Sequence, residues 1–326
     1  MSPVAGPLPD AVTAESFRAF ARGQAAGWSP TYERLAYAVA QDERVLGLLA
    51  GLPEATRQPN LLFGVGRLLG APVDDPDAFP RWVVTRWGDV EREVRGRSTQ
   101  TNEAARCATL LPALSSLPGP LALLELGASA GLCLYPDRYR YDYGDGVVGD
   151  GDGPVLGCRW LGDSTPPTTR PEVAWRAGLD LHPLDVADPD HLRWLDCLVW
   201  PEHDERRERL HAAARVAAQD PPLLVTGDLV TDLPALARRA PEGATLVVLH
   251  TAVLAYVDAP TRVAFVETVR GLGAHWLANE APSLLSGLLP VPPSSTADGP
   301  RPFLTALDGI PLGWSGPHGQ SYRPLT

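Results

Sequence analysis

The feature that most constrains this chain is one string, Leu123-Leu124-Glu125-Leu126-Gly127-Ala128-Ser129-Ala130-Gly131. An apolar run ends in an acid and breaks into a turn of small residues. Such a strand-to-turn junction is how a parallel α/β unit begins. Small residues there let backbone N–H groups approach a ligand closely. Open α/β sheets bind ligands at the carboxyl ends of their strands.

From residue 121 onward, short apolar runs alternate with helical stretches, the pattern of a parallel sheet with crossover helices. The expected strands are Leu121–Leu126, Trp175–Leu179, Leu223–Thr226, Thr245–Leu249 and His275–Ala278. Asp188-Pro189 opens one helix, 202–219 form another and Asp258–Val269 a third. Phe303–Leu307 and Pro311–Trp314 around Asp308-Gly309 read as a β-hairpin. The fold class expected is therefore α/β. The sheet is Rossmann-like and mainly parallel, with a C-terminal antiparallel hairpin that inserts one strand. In this it resembles the methyltransferase sheet.

Residues 14–117 read as helical, with Ser29-Pro30 as an N-cap and first helical proline. Further helices are expected around 59–69, 77–95 and 102–116; only Trp82-Val83-Val84 reads as a strand. The division expected is a helical region 1–117 covering the cleft and a sheet domain 118–326. The Gly-, Pro-, Asp- and Tyr-rich segment 135–172 is an insertion in the latter.

The chain has 326 residues and a formal net charge of -11, which argues against general affinity for nucleic acid or anionic membrane. No apolar run is long enough to span a bilayer and no basic-then-apolar leader opens the sequence, so a cytoplasmic location is expected. All 28 basic residues counted as Lys or Arg are arginine, which excludes a Schiff-base or P-loop lysine. Cys107, Cys133, Cys158 and Cys197 form no CxxC pair and match no zinc spacing, so no metal is expected.

Two further acids extend the first motif. Asp180 follows the second strand and can accept both hydroxyls of a ribose. Asp228 follows the third and can sit near an adenine amino group. Acids at the ends of three successive strands favour a nucleoside-like ligand; a helix-capping role is the plain alternative for each.

This arrangement resembles the S-adenosylmethionine-binding motifs of class I methyltransferases over residues 120–326. The resemblance implies that Glu125, Gly127 and Gly131 belong to the first motif, Asp180 is the ribose acid and Asp228 the adenine acid. Ser129 stands where the central glycine is usual, and the gap from Glu125 to Asp180 exceeds the usual spacing of about 20 residues. The whole chain also resembles DUF2332, a bacterial family of unknown function common in actinobacteria. The matching strings are Gln100-Thr101-Asn102-Glu103, Glu125 through Gly131, Asp137 through Tyr141, Trp200-Pro201-Glu202-His203, His250 through Tyr256 and Asn279-Glu280.

These strings supply the reacting side. His250, at the end of the fourth strand, is the candidate general base, with Glu280 beside it. Asn102, Glu103 and Arg106 form a candidate polar clamp. Trp200, His203, Tyr256 and Asn279 are candidate substrate contacts. The function expected is S-adenosylmethionine-dependent methylation of a small molecule. One alternative keeps the fold without the cofactor, for elimination or ring closure with His250 as base, or for a role as a complex subunit or homo-oligomer. Another is an α/β-hydrolase, since Gly127 to Gly131 also fits G-x-S-x-G. There Ser129 would be nucleophile, Asp228 the acid and His250 or His275 the base.

Overall fold

A computed structural model describes residues 9–100, 102–295 and 301–325. The chain divides into two compact units. One is Met1–Gln100 with Pro189–Arg207, the other Thr101–Asp188 with Glu208–Thr326.

The first unit is helical, with helices Pro9–Phe20, Pro30–Val39, Glu43–Ala50, Pro59–Leu68, Ala78–Thr85, Trp87–Gly96 and Pro189–Leu198. Its centre is aromatic. Phe63 packs edge-on against Phe17, Phe20 and Phe79 and tilts against Tyr32 at 4.9 Å. Ser29 caps its helix by accepting the Tyr32 N–H, and Pro30 begins the first turn as expected. Trp82-Val83-Val84 is not a strand. It lies in the helix Ala78–Thr85, because Phe79 and Val83, one helical turn apart, are both buried.

The second unit carries the sheet. Its strands are β1 Leu121–Leu126, β2 Arg140–Asp142, β3 Val147–Val148, β4 Val155–Gly157, β5 Arg159–Trp160, β6 Val173–Asp180, β7 Leu223–Thr226, β8 Thr245–Thr251, β9 His275–Glu280, β10 Phe303–Leu307, β11 Ile310–Ser315 and β12 Ser321–Pro324. Nine of them form one sheet in the order β5-β12-β11-β10-β9-β8-β1-β6-β7. From β7 to β9 every pairing is parallel. β10, β11 and β12 follow antiparallel. The chain leaves β1 toward β6 on one side and returns to β8 on the other. The crevice between β1 and β8 is thus the topological switch point.

One feature differs from expectation. The terminal hairpin inserts no strand: β10 pairs directly with β9, and β11 and β12 extend the edge in chain order. This register lets Leu304 and Ala306 join Trp276 and Ala278 in one core. The insertion, expected as a hairpin or loop, contains an antiparallel pair, β2 with β3. β2, β3 and β4 make a small sheet of their own, and β5 pairs with β12 at the edge of the large one.

Register fixes the two faces of the central strands. Side chains alternate along a strand and paired residues share a side. Glu125 pairs with Leu249, Leu249 with Leu277, and Thr251 with Asn279, so Glu125, Thr251 and Asn279 share one face. Leu126, His250, Ala278 and Glu280 share the other. On that second face Leu124, Leu126, Val248, Phe265 and Trp276 form the main apolar core.

Candidate site at the carboxyl edge of the sheet

The turn after β1 is held from both sides. Gly127, Ser129 and Gly131 all have positive φ, at 62°, 51° and 68°. Asp180, at the end of β6, accepts the Ser129 N–H at 2.8 Å through Oδ2 and the His182 N–H at 2.8 Å through Oδ1. Asn102 spans the turn: its Nδ2 donates to the Ala128 carbonyl at 3.0 Å and its Oδ1 accepts the Leu132 N–H at 3.1 Å. Gly127 and Ala128 donate to the Leu179 carbonyl, and Gly131 to that of Ala128. A Cβ on Gly127 would lie 2.2 Å from Cγ2 of Val253, so this glycine is required by packing.

Glu125 ends β1 and is buried. Burial, then the neighbouring Cys133 thiol and Asp180 carboxylate, hold its carboxyl well above the usual range against the opposing pull of Arg106. Arg106 is buried too; its Nε donates to the Pro317 carbonyl at 2.9 Å and Nη1 to Thr251 Oγ1 at 3.3 Å. Glu103 accepts the Ala105 N–H and, at 2.8 Å, Nε of Arg209. Asn279 is fully buried, and its Nδ2 donates to Thr305 Oγ1 at 2.8 Å and Ser315 Oγ at 2.9 Å. Its Oδ1, Oε2 of Glu125 and Oγ of Ser129 are buried without a hydrogen-bond partner.

His250 and Glu280 stand on the opposite face, in the core. Nδ1 of His250 lies 2.8 Å from Oε1 of Glu280, and Nε2 accepts the Trp276 indole N–H at 2.9 Å. Both residues are fully buried. The same Glu280 oxygen accepts the N–H groups of Val253 and Leu254. With both ring nitrogens engaged, His250 is in the arrangement of a structural histidine rather than the general base expected. Asn279 and Glu280 do not face one cleft, because neighbours in a strand point to opposite sides.

The remaining candidates are dispersed. Asp228 accepts the Val230 and Thr231 N–H groups through Oδ1 as a turn cap; these bonds lower its pKa. Tyr256 is exposed, in a short turn after β8. Trp200 and His203 belong to the helical unit. Trp200 Nε1 donates to Asn60 at 3.0 Å, and His203 Nε2 lies 3.1 Å from the Trp28 carbonyl. Thr101 lies outside the described residues.

No Ser129 triad is assembled. His250 is committed across the sheet, and His275 pairs with Asp308 at the amino end of β9. Among the described residues no group of three or more His, Cys, Asp or Glu is arranged to hold a metal ion. No helix among them is long and apolar enough to cross a membrane. All four cysteines are buried and none forms a disulfide.

The sequence reading missed three contributors: Val253, which fills the space at Gly127, and Thr305 and Ser315, which fix the Asn279 amide. Only the alternation of β9 carried a hint, since it sets Asn279 on the Glu125 face.

The molecule is a mixed α/β protein with a large, mostly parallel sheet, a glycine turn beside its switch point and acids ending β1 and β6. The chain belongs to the DUF2332 family, described as an uncharacterized protein conserved in bacteria, whose profile matches residues 14–299. No curated protein and no solved structure matches it.

Proposed function

We propose that this protein is an enzyme acting on a small polar molecule at the carboxyl edge of its sheet, with Glu125 as the proton-carrying group. The observation behind this reading is the set of unpartnered buried atoms on Glu125, Ser129 and Asn279. A buried polar atom left unsatisfied costs about 1–3 kcal/mol. A ligand that supplies the missing partners explains why such atoms are kept at one strand edge. The Asn279 side-chain oxygen is an acceptor, so a ligand that meets it brings an N–H or O–H. Glu125, whose carboxyl burial holds well above the usual carboxylate range, can give a proton to a substrate and take it back. Arg106 and Thr251 support the same face.

Methyl transfer from S-adenosylmethionine is the second reading. It is favoured by the order β7-β6-β1-β8-β9 with Glu125, Asp180 and Asp228 at or just beyond the ends of three adjacent strands. The turn as built does not fit that cofactor. Val253 fills the space beside Gly127, and the Gly127, Ala128, Ser129 and Gly131 N–H groups are already bonded.

Calorimetric titration with S-adenosylmethionine separates the readings. Silence at about 1 mM, a threshold near -4.1 kcal/mol, leaves the cofactor-free enzyme. Binding that Asp180→Ala weakens more than about tenfold supports methyl transfer.

A further inference from the structure

The segment 135–172 is the part of the sheet unit that the carboxyl-edge site does not use. Together with the second half of the helix Asp204–Gln219 it encloses a groove of about 620 Å³, within the range of small-molecule pockets. Ala212, Arg215, Val216 and Gln219, one face of that helix, form a wall. The facing wall is the loop Asp150–Gly153, and Tyr135, Asp137, Arg138 and Asp220 complete the lining. The groove lies toward the amino ends of the strands, since Asp220 precedes β7, which pairs with β6 from Ala177 onward.

The loop is held firmly. A Cβ on Gly153 would lie 2.0 Å from the Arg138 carbonyl oxygen, and Arg170 pairs with Asp150. Most charges in the groove are matched internally: Asp137 accepts from Arg176 at 2.7 Å and lies 3.2 Å from Arg138. Two exposed charges are not. Asp152 and Arg215 take part in no ion pair among the described residues, though both line the groove. A second observation lies behind Tyr135, Asp137 and Asp220. The Arg176 guanidinium touches all three, its side chain is only 7% exposed, and its Nη1 has no hydrogen-bond partner. Oδ1 of Asp137 is likewise buried and unpartnered.

We propose that this groove is a second binding site, for a small zwitterion of amino-acid or dipeptide size. Its ammonium group meets Asp152 and its carboxylate meets Arg215. The apolar surface of Val216 and Ala212 accommodates the carbon skeleton.

Calorimetry on the full chain tests this with L-alanine, L-leucine, L-glutamine and L-alanyl-L-alanine. Propylamine and propionate serve as single-charge controls. At least one zwitterion is expected to bind with Kd below about 1 mM, and both controls at least about tenfold more weakly. Asp152→Asn and Arg215→Gln are surface changes that preserve folding, and each should weaken binding about tenfold. Propionate or propylamine binding as tightly as the zwitterion, unchanged affinity in both variants, or no binding at about 10 mM would overturn the proposal.

Discussion

Nδ1 of His250 and Oε1 of Glu280 lie 2.8 Å apart, fully buried, on the face of the sheet opposite Glu125. The pair works as a brace: Glu280 also holds the Val253 and Leu254 N–H groups, and Val253 packs on Gly127. His250→Ala leaves the Trp276 indole N–H without its acceptor and Glu280 short of a donor. At about 1–3 kcal/mol for each buried group, the loss should be about 2–6 kcal/mol in urea unfolding. A variant as stable as the parent but without turnover would instead return His250 to the role of base.

Asn102 should matter through the turn it spans. Asn102→Ala removes bonds to the Ala128 carbonyl and the Leu132 N–H and should cost about 1–3 kcal/mol. Amide exchange at Leu132 should quicken first. Asn102→Asp keeps the acceptor for Leu132 and should show slower Leu132 exchange than the alanine variant.

The pH dependence of Glu125 has a definite sign. Its folded-state carboxyl titrates well above 4.5 because of burial, so the folded chain keeps a proton that the unfolded chain releases. Stability from this group is full below about pH 4.5 and falls as pH rises toward the folded value, by about 1.4 kcal/mol per pH unit. Glu125→Gln should remove that slope. Denaturant midpoints at stepped pH above 4.5 measure it, and parallel curves for both proteins would contradict the assignment.

Glu202 has the opposite sign. Partial burial raises its pKa, but the Ser29 hydroxyl and Thr31 N–H outweigh it and leave it below 4.5. Stability from Glu202 is present above that value and lost as pH falls through the depressed one. Glu202→Gln should therefore make the acid unfolding of the helical unit less steep, read by tryptophan fluorescence.

Much of the sheet was legible because its strands are short, largely apolar runs. β1, β7 and β10 fall on their expected residues, and β6, β8 and β9 differ only at their ends. The sequence did not reveal what those ends bond to. Nothing in the spacing of Asn102 or Asp180 says that each reaches the turn. Their side chains were read as ligand contacts, yet Asn102 and Asp180 bond its backbone. The positions of Asn279 and Glu280 were decidable, since adjacent strand residues cannot share a face. Which hairpin strand meets β9 was not, because that choice is made by Leu304 and Ala306 packing against Trp276 and Ala278.

The central claim is that the carboxyl edge around Glu125 holds a small polar ligand. A thermal-shift screen of small amines, amides, hydroxy acids and nucleosides, run in parallel on the parent, Glu125→Gln and Asn279→Ala, tests it most directly. The account predicts a compound that raises the parent's Tm by about 4 °C or more, a stabilisation of about 3 kcal/mol at this chain length, and leaves both variants unmoved. Equal shifts in all three proteins, or none in the parent, would contradict it.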